Sequence, residues 1–373
     1  MQSLLIVFVC LAALFSAGFP AVAAADEIKV AAILAKTGEA AEDNLELFEA
    51  FRFAVNEVNS KGGLLGKKIK LLEYDNHSTP IQSKLAAKQA VKDGVVAVLG
   101  ASWSSHSLAM APYLQQMKVP MISPDSTHPD VTLAGDYIFR VCFIDSFQGK
   151  ILAMFAKNDL KAAATVIIQN INSDYSLELA RIFKQNFTAT GGEVPAVLNY
   201  TSGQSDFTDL LKAAEEFNPD VLFIPGHSES GYVVRQAQEL GIKAKILGGD
   251  AWPYRQFYAN GGQDIKEGYY TTLWNKELDT DKSRDFVARY KKVYEVTDFS
   301  AAPYDAAMLL FDAIKRAGSL DSGAIRDAIA ATKDFDGVTG PISFDNIGDP
   351  VKKVLVMKIT QGRPSIFKII TPN

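Results

Sequence analysis

The chain has 373 residues, 48% of them hydrophobic and 22% charged, enough to bury two ordinary cores more comfortably than one. Lys and Arg total 38 against 43 Asp and Glu, a net charge of -5. No basic footprint for nucleic acid or an anionic membrane surface is present, and those partners are excluded.

Residues 1–25 carry no charge, contain an apolar core over residues 4–15, and end in AVAAA before Asp26. This reads as an export leader cleaved near residues 23–25, too short for a comfortable membrane span. A periplasmic address follows, with no membrane insertion after cleavage. Cys10 lies inside the leader behind Phe8 and Val9, not the small residues of a lipid-attachment site. Cys142 alone remains in the mature chain, so no intrachain disulfide forms, and it is expected to be a buried apolar residue.

From Asp26 onward, strands and helices alternate. A strand at 28–34 leads through a loop to a helix capped by Asn44, with Leu45, Phe48, Phe51, Ala54, Val55 and Val58 spaced along one apolar face. Gly62, Gly63 and Gly66 end that helix. A strand at 68–74 precedes a helix capped by Thr79, opened by Pro80 and running to about residue 92. Strands at 95–99 and 119–122 flank a helix at 106–117, the βαβ arrangement of a parallel sheet.

The loops after those two strands are crowded with oxygen: Ser102, Ser104 and Ser105 in one, Ser123, Asp125, Ser126 and Thr127 in the other. Strand ends of parallel sheets face the ligand crevice, and free amides at a helix start favour an anion such as a carboxylate. Each hydroxyl taken singly could equally be a helix cap that touches no ligand. The pairing of two such loops on neighbouring strands is what points to a cleft for something small and polar.

A strand at 137–143 and a helix at 146–157 come next. A second alternating set then runs through strand 163–168, helix 177–187, extended 194–199, helix 207–217, strand 221–224, helix 231–240, strand 245–247 and a loop at 248–253. After residue 270, helices are expected at 282–294, 302–317 and 323–331, with β-like runs at the end. Two doubly wound α/β units are therefore predicted, joined without any disordered tether, as lobes about a hinge would be.

The order of AAILAKTGEAAEDN, FEAFRFAVNEVNSKGGLLGKKIKLLEYDN, ISPDSTHPDVT, FRVCFIDSFQG, VVRQAQELGI and ILGGDAW resembles the branched-chain amino-acid-binding proteins of bacterial ABC importers over nearly all of the mature chain. The resemblance implies a type I periplasmic-binding-protein fold, with two doubly wound parallel-sheet lobes joined by a three-segment hinge. One lobe would comprise residues 26–145 plus 274–352 and the other residues 146–273 plus 353–373. The family's carboxylate-holding serine falls on Ser104, beside Ser105, and its threonine on Thr127, next to Ser126. Asp125 stands where a small residue is common. Tyr175 matches the aromatic residue brought by the second lobe, and Asp250 the acid that pairs with an α-ammonium. Asp43 stands where a relative places an aromatic contact, and Ser78 and Trp103 replace a cysteine pair.

A zwitterion leaving water needs a partner for each end, which Ser104 with the helix-start amides and Asp250 would supply. Glu39, Asp43, Trp103, Asp125, His227 and Trp252 are the residues near candidate loops that would shape the rest of the pocket. With acids at Asp43, Asp125 and Asp250, repulsion would call for a cationic or polar ligand, so a preference beyond Leu, Ile and Val stays open.

Enzyme readings fare poorly. GHSES has Ser230 where a nucleophile elbow needs glycine, KGGLLG follows a helix and contains no G-x-G, and the four histidines show no metal-ligand spacing. The expectation is a monomeric, cofactor-free solute-binding protein that hands an amino acid or related zwitterion to a membrane permease. An extracytoplasmic sensor using the same closure is the alternative.

Overall fold

Two sheets divide the chain in the computed structural model, which describes residues 27–372; the expected leader lies outside the described residues. The first is wholly parallel and built from β1 (Ile28–Leu34), β2 (Ile69–Asp75), β3 (Ala97–Gly100), β4 (Met121–Ser123) and β5 (Ile138–Arg140), in the order β2-β1-β3-β4-β5. The second takes β6 (Thr165–Asn170), β7 (Val197–Tyr200), β8 (Val221–Ile224), β9 (Lys245–Gly248) and β10 (Glu267–Thr272) in the matching order β7-β6-β8-β9-β10. After a small hairpin of β11 (Phe335–Gly337) and β12 (Gly340–Ile342), β13 (Val354–Thr360) and β14 (Arg363–Ile370) extend the second sheet antiparallel. The same 2-1-3-4-5 order occurs twice, and in each sheet the order reverses beside the first strand, where ligand crevices form.

Central strands read as continuous apolar runs because helices cover both faces. All of β3, β4 and β8 is buried. The helices α1 (Ala41–Ser60), α2 (Pro80–Lys92), α3 (Ser104–Met117), α4 (Asp145–Asn158), α5 (Asp174–Ala189), α6 (Thr208–Glu215), α7 (Ser230–Glu239) and α8 (Arg255–Asn260) alternate with the strands as expected. Helices α9 (Asp281–Tyr290), α10 (Ala301–Ala317) and α11 (Ser322–Ala330) follow, with α10 packed on α1 and beside β3 and β4. The chain therefore passes from the first sheet to the second after β5, returns after β10, and crosses again before β13.

The structure corrects three details. Helix α1 begins at Ala41, not at Asn44, which is buried inside the first turn and accepts a hydrogen bond from the Ala35 amide at 2.9 Å. It ties strand to helix and is not the cap. Leu45 is exposed, because the apolar stripe runs through Leu47, Phe48 and Phe51. Strand β5 is shorter than the apolar run at 137–143, since the chain leaves the sheet there to cross over. Thr79 does cap α2, accepting from the Gln82 amide, and Cys142 is buried.

Candidate functional site

Helix α3 starts without a cap. Its N-cap position is Trp103, which offers no oxygen, whereas Thr79, Ser173 and Thr280 each accept an amide of their own helices. Ser104 is therefore the first helical residue, and the amides of Ser104 and Ser105 lack partners among the described residues. An uncapped helix start presents donors and a positive dipole end to whatever lies ahead of it. Ahead of it lies a narrow cavity lined by Ser102, Trp103, Ser104 and Asp125 from one side and Tyr175, His227, Asp250 and Tyr254 from the other.

The loop beside α3 is held rigidly. Arg140, fully buried, pairs with Asp349 at 2.6 Å and donates to the carbonyls of Ser126 and His128 at 2.7 and 2.9 Å. Ser126 donates to the Ser102 carbonyl at 2.7 Å and shares a 2.7 Å bond with Ser107. Ser104 accepts from the His128 amide at 3.2 Å.

Across the cavity, Asp250 follows β9 on a glycine turn. A Cβ on Gly249 would stand 2.2 Å from the Tyr175 hydroxyl, so glycine is required for that close approach. The Asp250 carboxylate accepts from Tyr175 at 2.9 Å and from Gln148 at 3.0 Å, both at Oδ1. Gln148 in turn takes the Asp250 amide at 2.9 Å and the Thr271 hydroxyl at 2.6 Å, and donates to Asp145 at 3.0 Å. Burial raises the Asp250 pKa to about 6 and that of Asp125 to about 7, Asp125 also feeling the Asp250 charge. Burial and the Asp250 charge push Asp145 upward as well. Among the described residues, no lysine or arginine lines this cavity.

Comparison with known proteins agrees with this architecture. Residues 27–364 match the model of a family described as periplasmic binding protein. A Leu/Ile/Val-binding protein of Rhizobium johnstonii is 30% identical over 343 residues, covering 90% of this chain and 91% of that one.

The chain belongs to the Leu/Ile/Val-binding family of periplasmic binding proteins.

Among solved structures, a leucine-binding protein of Thermotoga maritima is 36% identical with a TM-score of 0.88, covering 92% of this chain and 99% of that one. A branched-chain amino acid transporter substrate-binding protein of Streptococcus pneumoniae, in complex with isoleucine, is 30% identical with a TM-score of 0.87, covering 93% and 100%. This is a family of binding proteins, and among the described residues no helix is long and apolar enough to cross a membrane.

Within this binding-protein fold, the structure brings Ser104, Asp125, Tyr175, His227, Asp250 and Trp103 to one cavity. Asp43 lies in an adjoining outer cavity with Glu39, Glu42 and Glu229, and Trp103 borders both. Trp103 and His227 stack from opposite lobes at 4.2 Å between ring centres, walling one cavity from the other. Burial holds the His227 pKa down to about 4, so the ring is neutral in that stack. Asp43 accepts from Ser228 of the other lobe, and Ser105 accepts from the Asp174 amide at 3.2 Å, so both are lobe-to-lobe contacts.

Three expected contacts are placed elsewhere. Trp252 is fully buried, donates its indole N–H to the Ile224 carbonyl at 3.0 Å and stacks on Phe257, so its indole belongs to the core. Ser126 is consumed by its loop bonds. Thr127 is buried and does not line the cavity, and its carbonyl accepts the Asp145 amide at 2.9 Å. Sequence reasoning missed Tyr254, whose hydroxyl meets Asp125 at 2.9 Å and Ser102 at 3.0 Å, and Gln148, which organises Asp250. It also missed Phe299, on which Tyr254 lies flat at 3.7 Å. Their partners are far away in the chain, and no local pattern marks them.

Proposed function

We propose that this chain is an exported solute-binding protein that closes two lobes over an amino acid and delivers it, unaltered, to the permease of an ABC importer. The observation that carries this reading is the opposition of an uncapped helix start at Ser104 to a carboxylate at Asp250, anchored by Tyr175 and Gln148, across one small cavity. The first suits an α-carboxylate and the second an α-ammonium, the two ends of a zwitterion that must each find a partner on leaving water. Relatives named for Leu/Ile/Val binding and for branched-chain amino acid transport support transport over sensing.

The lobes are taken as residues 26–145 plus 274–352 and 146–273 plus 353–373, which the membership of the two sheets supports. Bonds such as Asp43 to Ser228 and Tyr254 to Asp125 form only when the lobes meet, so ligand contacts from both sides would shift the open and closed populations. The protein acts as a monomer behind a leader cleaved near residues 23–25, and no bond is made or broken. Thermal-shift screening of ligand-stripped protein against the common amino acids tests this: at least one α-amino acid raises the melting temperature, by an amount that grows with the logarithm of its concentration above Kd. No response to any of them overturns the reading.

A further inference from the structure

The inner cavity holds one carboxylate more than an ordinary zwitterion can use. Asp250 suffices for an α-ammonium, yet Asp125 lines the same cavity. Its Oδ2 is held from both lobes, by Ser102 at 3.0 Å and by Tyr254 at 2.9 Å, and Tyr254 is itself fixed flat against Phe299. Its Oδ1 is buried and has no hydrogen-bond partner. An aliphatic side chain packed there would leave that oxygen unsatisfied, which is costly in a site shielded from water. The Trp103–His227 stack closes the flank of the cavity. Outside the stack, Glu39, Glu42, Asp43 and Glu229 line the outer cavity, with no lysine or arginine there among the described residues. A positively charged solute would therefore approach along a favourable potential.

We infer that Asp125 is a specificity-determining residue that selects a compact amino acid carrying a second N–H donor group, ammonium or amide, over a branched aliphatic one. The inference rests on the amino-acid reading above. Asp250 takes the α-ammonium, Ser104 and the α3 amides take the α-carboxylate, and Asp125 Oδ1 takes the added donor.

Calorimetric titration of the ligand-stripped protein with 2,4-diaminobutyrate, asparagine, alanine and leucine tests it, the first two separating an ammonium from an amide donor. Diaminobutyrate or asparagine should bind at least about tenfold more tightly than leucine, a difference of about 1.4 kcal/mol. Asp125→Asn keeps an acceptor for Ser102 and Tyr254 while removing the charge. It should reduce the ratio of diaminobutyrate to alanine affinity by about tenfold. Equal weakening of both ligands would make Asp125 a mere stitch between lobes and overturn the inference. Leucine binding as tightly as the donor-bearing ligands would overturn it too and leave the amino-acid reading standing. Failure of every α-amino acid to bind would overturn both.

Discussion

The two loops that face each other across the cleft use oxygen in opposite ways. On the first lobe, Ser123, Ser126 and Ser107 spend their hydroxyls on one another and on the carbonyls of Ala101 and Ser102. They make a stiff scaffold whose ligand-facing parts are the uncapped start of α3 and Ser104. On the second lobe, one carboxylate follows two glycines and is oriented by Tyr175 and Gln148, which are remote in sequence. A dense run of hydroxyls thus marks a loop that must hold its shape. A solitary, well-supported charge marks the grip.

Asp250→Asn is the harshest test of that contrast. Removing one partner of a buried charge pair typically costs about 3 to 5 kcal/mol, so affinity for α-amino acids should fall by two or more orders of magnitude while the fold persists. Titration calorimetry with a melting curve as control reads both. Undiminished affinity would place the ammonium elsewhere. Ser126→Ala should do the reverse, lowering stability by about 1 to 3 kcal/mol through lost buried hydrogen bonds, with affinity in the folded protein nearly unchanged. A large loss of affinity without a loss of stability would break the distinction between scaffold and grip. Ser104→Ala lies between them: about 1 kcal/mol of affinity, or five- to tenfold, is expected, because the helix amides remain.

Much of the fold was legible because buried parallel strands are continuous apolar runs, and every intervening helix carries a stripe or a terminator. Alternation alone pointed to two doubly wound units, whereas the repeated 2-1-3-4-5 strand order is seen only in the structure. Helix edges were less legible: Asn44 has the chemistry of a cap but is drawn inward by the Ala35 amide, a partner set by the neighbouring strand. For the cleft, Asp250, Tyr175 and Ser104 were legible through family motifs. Trp252 shows the limit of adjacency, since a residue two positions beyond Asp250 turns its indole away into the core. Tyr254 and Gln148 could not be found in this way, because Tyr254 meets Ser102 and Asp125 only after the lobes close, and Gln148 meets Asp250 across about a hundred residues of chain.

The smallest expected effect is the change in affinity between pH 8 and 6, and it reads the Asp250 side of the contrast alone. Burial raises the Asp250 pKa to about 6, above the value of an exposed aspartate. The ligand-free folded protein therefore binds more protons than the unfolded chain between about pH 4 and 6, so this group makes the empty protein less stable as pH rises through that window. Ligand binding has the opposite dependence, since an α-ammonium needs the ionised carboxylate. With half of Asp250 neutral at pH 6, affinity should be about twofold below its value at pH 8, falling to about tenfold below at pH 5. Asp145 and Asp125 share the burial, and Asp145 reaches Asp250 through Gln148. Titrating alanine into Asp125→Asn protein leaves the Asp145 and Asp250 pair as the source of the profile, together with proton release on binding near pH 6. A flat affinity from pH 5 to 8 would mean that the pair is ionised throughout and that its hydrogen bonds outweigh its desolvation.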